Sequence, residues 1–162
     1  MGYSKMVAVC RMMAAQMVAM AGKPFFAQEF PSTLEAMRET VDSAVKALAE
    51  RGWIGPAQRY YARLCLEEAL VNAITHGNKS DVCKKVVLEM SDEESCCRIR
   101  VRDEGEGFCP DNVHKPPADA LGGRGVYLIK CFMENVTFNQ TEGCLEMVLP
   151  RQAPSKGGPS NA

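Results

Sequence analysis

Three stretches of this chain carry residues whose types and spacing can do chemistry. In Glu67-Glu68-Ala69-Leu70-Val71-Asn72, Glu68 and Asn72 stand one helical turn apart, so on a helix they share a face. An Asn carbonyl is a hard oxygen ligand that suits Mg²⁺, which keeps several waters and bridges phosphates. A carboxylate one turn earlier can orient or deprotonate an attacking hydroxyl or water. In Asp103-Glu104-Gly105-Glu106-Gly107-Phe108, Asp103 can accept a hydrogen bond from an exocyclic amine such as that of adenine. Gly105 and Gly107 let backbone approach a flat ligand without a Cβ in the way. Gly122-Gly123-Arg124-Gly125-Val126-Tyr127-Leu128-Ile129 reads as a glycine-rich loop opening a helix. Its free N–H groups and positive dipole end suit phosphate, and Arg124 adds charge. Taken singly, each stretch has an ordinary alternative: a solvated helix face, a tight acidic turn, or a plain glycine-rich helix start. A Walker A loop is excluded, because no Gly-Lys-Ser/Thr follows the glycines. The ligand spacing of an EF-hand calcium loop is missing as well.

The elements that must position these residues follow from periodicity. Phe25 to Phe30 alternates and reads as a first strand. Ser32 or Thr33 can cap a helix whose apolar stripe is Leu34, Met37, Val41, Val45 and Leu48, ending at Gly52. A second helix is expected from about Ala57 to Thr75, with Tyr60, Leu64, Leu66, Leu70, Val71 and Ile74 as its apolar surface, closed by His76-Gly77-Asn78. Strands are expected at Cys83–Met90 and Cys96–Arg102, joined as a hairpin through the polar SDEES segment. Asp103 to Gly123 reads as a loop, Arg124 to Met133 as a short helix, and Asn135–Phe138 and Cys144–Leu149 as closing strands. Hairpins favour an α/β two-layer sandwich, with a mixed, mostly antiparallel sheet and helices on one face, over a doubly wound parallel sheet.

Composition sets the limits. At 162 residues with 46% hydrophobic and 24% charged residues, the chain has room for one domain with a real core. A net charge of −1 gives no global pull toward nucleic acid or membrane. Eight cysteines and two histidines occur, with no C-x-x-C pair. The cysteines therefore read as reduced, small apolar residues. Residues 1–22, rich in Met, Ala and Val, form an N-terminal extension or mark an initiation codon assigned too early. Arg11 and Gln16 interrupt them, against a secretory signal. The domain proper is expected over 23–150, with a polar, disordered tail at 151–162, and the expected location is cytoplasmic.

Together, in this order and on these elements, the three stretches resemble the GHKL (Bergerat-fold) superfamily of ATPases and kinases. Glu68 to Asn72 matches its N-box, Asp103 to Phe108 its first glycine box, and Gly123 to Ile129 its second. The compact size, the Glu-Ala-Leu-Val-Asn box and the Gly-Gly-Arg-Gly-Val-Tyr-Leu-Ile run look closest to the bacterial anti-sigma-factor serine/threonine kinases. The resemblance implies ATP and Mg²⁺ as ligands, with Glu68 as catalytic base and Asn72 on the metal. It also implies Asp103, Gly105, Gly107 and Phe108 around the base, and Gly122, Gly123, Arg124, Gly125 and Val126 near the phosphates. Cys109 to Leu121 would be the nucleotide lid, and His76 would lie at the helix end or near the phosphates. The implied partners are a STAS-domain anti-anti-sigma protein and a sigma factor or other switched regulator, bound by a homodimer. The alternatives are a sequestration module that binds ATP without kinase activity, and a stand-alone ATPase domain of a two-component system. Where many relatives carry Gly-Thr near adenine, this chain has Gly143-Cys144, and a thiol is a weaker hydrogen-bond partner.

Overall fold

The computed structural model describes residues 24–105, 124–139 and 143–151. Strand β1 (Pro24–Pro31) leads into helix α1 (Leu34–Glu50). A single turn of 3₁₀ helix (Pro56–Gln58) opens α2 (Arg59–Asn72), which continues as one π-helical turn (Ala73–Gly77). Strands β2 (Lys85–Asp92) and β3 (Cys96–Asp103) precede helix α3 (Arg124–Phe132), and β4 (Glu134–Asn139) and β5 (Cys144–Pro150) close the fold.

The strands form one sheet in the order β1-β2-β3-β5-β4, and every pairing among the described strands is antiparallel. Strict alternation puts Val86, Leu88 and Met90 of β2 and Cys97, Ile99 and Val101 of β3 on one buried face. The helices cover that face with Val41 and Leu48 of α1, Leu66 and Leu70 of α2 and Ile129 of α3, all of them fully buried. The opposite face carries a ladder of ion pairs: Arg98 with Glu93 and Glu146, Arg100 with Glu146, and Arg102 with Glu89. Facing cross-strand pairs of opposite charge fix register, because a slip of one residue would turn these arginines into the apolar layer. The expected two-layer sandwich with helices on one face is the observed architecture.

Local chemistry explains where the elements stop. Thr33, not Ser32, caps α1, its Oγ1 accepting from the Ala36 N–H at 3.3 Å. Gly52 ends that helix in the left-handed region (φ +73°), a conformation a Cβ would strain. Trp53 then donates from Nε1 to Asp92 Oδ1 at 2.6 Å, tying the following turn to the end of β2. At the other side of the helical layer, Tyr61 of α2 stacks on Phe132 of α3 with centroids 4.5 Å apart.

Three expectations need correction. The second helix is not one α-helix over 57–75 but a 3₁₀–α–π succession. In its π turn the Asn78 N–H reaches back five residues to Ala73 O. Strand β2 starts two residues later and runs two residues further than the apolar pattern suggests. Asp81 Oδ1 accepts from the Cys83 N–H at 2.9 Å and holds Cys83 in a turn. Leu34 and Tyr60, at the first turn of their helices, are exposed (47% and 68%), so the buried stripes begin one turn later. No helix among the described residues is long and apolar enough to cross a membrane.

Candidate functional site: the N-box helix between two glycine contacts

Helix α2 and its π extension run between two points where a glycine packs directly against a carboxylate from another segment. At the first, Gly125, in the opening turn of α3, faces Glu68 on α2. A Cβ on Gly125 would fall 1.9 Å from Glu68 Oε2 and 2.8 Å from its Cδ. The carboxylate therefore occupies the space a side chain would take, beside the first N–H groups of α3. Such N–H groups carry partial positive charge and seek acceptors. Glu68 is partly exposed and has no hydrogen-bond or ion-pair partner among the described residues. Its neighbour Glu67, by contrast, is engaged by Arg63 at 3.1 Å, as its different angular position on the helix predicts.

At the second point, Gly77 lies against Asp103 at the end of β3. A Cβ there would fall 2.3 Å from Asp103 Cγ and 2.4–2.5 Å from its two carboxylate oxygens. Gly105 then folds back over the same turn, where a Cβ would meet Gly77 O at 1.9 Å. Asp103 is half-buried, and its Oδ1 accepts from the Gly105 N–H at 2.8 Å. Burial pushes its carboxyl above the usual range, opposed by the Gly105 N–H and by the charge of Lys84. Nine residues separate Glu68 from Gly77, so the two contact points lie roughly 13 Å apart along the helix.

Asn72 stands between them. Its Nδ2 is buried and has no hydrogen-bond partner among the described residues. An orphaned buried amide is costly, and the two ends of the amide exchange by a simple rotation of the side chain. The group is thus free to turn its oxygen to a hard cation or its nitrogen to a phosphate oxygen. Among the described residues no group of three or more His, Cys, Asp or Glu stands ready to hold a metal. Mg²⁺ characteristically keeps several waters and binds phosphate oxygens beside one or two protein ligands, a role in which a single amide such as that of Asn72 suffices. The Asn72 amide and the half-buried Asp103 carboxylate are groups that fit magnesium and an adenine nucleotide.

The structure brings Glu68, Gly125, Asp103 and Gly105 to this helix. It leaves the His76 side chain exposed at the π turn. Gly107, Phe108, Gly122 and Gly123 and the lid segment 109–121 lie outside the described residues, as do the side chains of Arg124 and Val126. Cys144 is buried and pairs in register with Arg102, one position before Asp103. Two participants escaped the sequence reading. Spacing marks Gly77 and Asn78 as the end of the helix but assigns them no contact, although a glycine inside a helical pattern can have a packing reason. Asn78 is fully buried, with both ends of its amide bonded: Nδ2 to Ser32 Oγ (2.6 Å) and Lys85 O (2.8 Å), and Oδ1 to the Glu104 N–H (2.8 Å).

A five-stranded antiparallel sheet backed by helices on one face, with a carboxylate and an amide on an inner helix and glycine contacts at each end, defines a nucleotide-binding α/β sandwich of the Bergerat type. Comparison with protein families matches residues 30–149 to the histidine kinase-like ATPase domain, and the chain belongs to that family. The match runs from the end of β1 into β5 and so includes both contact points. A comparison with curated proteins gave no match.

Proposed function

We propose that this chain is an ATP-dependent protein serine/threonine kinase of the anti-sigma type. It would transfer the γ-phosphoryl group to a STAS-type anti-anti-sigma protein and sequester a sigma factor, acting as a homodimer with Mg²⁺. The observation that carries the catalytic part is the Glu68 carboxylate, which has no protein partner among the described residues and lies against Gly125 at the opening of α3. The choice of a hydroxyl acceptor, and of the partners, rests on the likeness of the three motifs to the anti-sigma kinases.

In this reading the residues divide the work. Asp103 accepts the exocyclic amine of adenine, and Gly77 and Gly105, packed closely around its carboxylate and the turn that follows, hold it in place. Asn72 offers its amide to Mg²⁺, which when bound neutralises phosphate charge. Glu68 takes the proton from the acceptor hydroxyl as its oxygen bonds to the γ-phosphorus and the bond to ADP breaks. Phosphate on the acceptor adds negative charge and weakens its docking by repulsion and desolvation, which frees the kinase to hold its other partner.

The test is incubation of the purified chain with γ-labelled ATP and its cognate STAS protein. Label should appear on the acceptor with wild type and vanish with Glu68→Ala, while nucleotide binding persists in both. A stable complex with no label transfer in wild type would instead identify a sequestration module that uses ATP as a structural ligand.

A further inference from the structure

We propose that Asn78 is a positioning residue for base selection: it holds the segment that presents Asp103, and so sets how well the site distinguishes an adenine from a base lacking the exocyclic amine. The proposal rests on the reading of Asp103 as the base contact. Asn78 itself is completely buried and cannot touch the nucleotide; it acts through its neighbours.

Three distant pieces of chain meet at its amide. Nδ2 uses both protons, one to Ser32 Oγ at the β1–α1 junction and one to Lys85 O at the start of β2. Oδ1 accepts from the N–H of Glu104, the residue after Asp103. The Asn78 backbone is fixed as well, its N–H on Ala73 O at 2.8 Å and its carbonyl receiving the Asp81 N–H at 3.1 Å. A fully satisfied buried polar network admits one geometry, because any shift leaves a polar group unpaired in a low-dielectric interior. Asp103 is consequently held from three sides. Gly77 blocks it beneath, Gly105 bonds its Oδ1, and Asn78 anchors the backbone that follows it. The Ser32 N–H on Lys84 O at 3.0 Å closes the frame that Asn78 pulls against.

This arrangement explains why the exit of α2 is a π turn. The extra residue carries Gly77 and Asn78 together to the end of β3, one opening space for the carboxylate and the other fixing its backbone. Nucleotide base and helix exit thereby become parts of one rigid unit.

The experiment measures binding of ATP and ITP to the full chain by calorimetry, at a temperature below the unfolding transition of every variant. Inosine lacks the exocyclic amine that Asp103 would accept. Wild type should prefer ATP. Asn78→Ala should weaken ATP about tenfold and leave ITP nearly unchanged, the scale of one hydrogen bond to a charged group. Should that variant not fold, Ser32→Ala, which removes only one anchor of the amide, should shrink the ATP/ITP ratio about threefold by the same reasoning. A merely structural role would lower the transition temperature and weaken both nucleotides in parallel. That outcome, or a ratio unchanged in a folded variant, overturns the assignment of Asn78. A wild type with no preference for ATP would instead overturn Asp103 as base contact, and the proposal with it.

Discussion

Replacing Gly77 with alanine introduces a methyl carbon where Asp103 Cγ already lies 2.3 Å away and both carboxylate oxygens lie within 2.5 Å. Carbon atoms settle at about 3.5 Å or beyond, so the Asp103 side chain must retreat by about 1 Å. Its bond from the Gly105 N–H, 2.8 Å long, would then stretch past about 3.6 Å and cease to be a hydrogen bond. Retreat along β3 is blocked, because Gly105 is itself wedged against the Gly77 carbonyl. Overpacking costs about 1–3 kcal/mol, and the lost bond adds about 1 kcal/mol. Against this, alanine regains up to about 1 kcal/mol of helix propensity. The net loss is about 1–3 kcal/mol, which for a domain of this size lowers the melting temperature by roughly 4–12 °C. The same displacement moves the base acceptor out of reach, so ATP affinity should fall by more than about tenfold. Thermal denaturation and calorimetric titration with ATP read the two effects. Gly52→Ala is the control: it has open space but a positive φ, so it should lower stability and leave ATP affinity alone. A Gly77→Ala protein that melts within a degree of wild type and binds ATP within twofold would refute the claim that Gly77 and Asp103 are interlocked.

Gly125→Ala should behave in the opposite way. The new methyl would meet Glu68 Oε2 at 1.9 Å, but that oxygen ends a flexible side chain and can swing aside, so the melting temperature should hardly move. Turnover at saturating ATP should drop by about a hundredfold, the low end of what a displaced general base costs, and a kcat within threefold of wild type would sink the role given to Glu68. The pH dependence of Asp103 has a definite sign. Burial raises its carboxyl above the usual range, so between the unfolded and folded pKa values the folded state holds a proton the unfolded chain has lost. Stability therefore falls as pH rises through that window, and the cost is fully present above it. Asp103→Asn should accordingly be at least as stable as wild type at neutral pH, with the difference vanishing at pH values below the window. Chemical denaturation across pH checks this, and a variant less stable only at neutral pH would contradict it.

Much of this molecule is legible from its residues in order. Alternation of period two in Lys85–Asp92 and Cys96–Asp103 and the helical stripe of Leu34–Glu50 depend on local periodicity, and hairpins follow from short polar links. Those features made an antiparallel sheet covered on one face the expected fold. The pairing of Glu68 with Asn72 was likewise readable, because one helical turn is a fixed distance. What the sequence could not decide is which atoms meet across the fold. That Gly125 faces Glu68, that Gly77 rather than His76 touches Asp103, and that Ser32 serves Asn78 instead of capping α1 all depend on contacts between segments distant along the chain. The π turn belongs to this second class. A π turn is rare as local structure, and here it carries the buried amide of Asn78 to three partners on distant segments. Short-range order is written in spacing; the site exists only once the packed core forces those distant glycines, carboxylates and amides to share the same few ångströms.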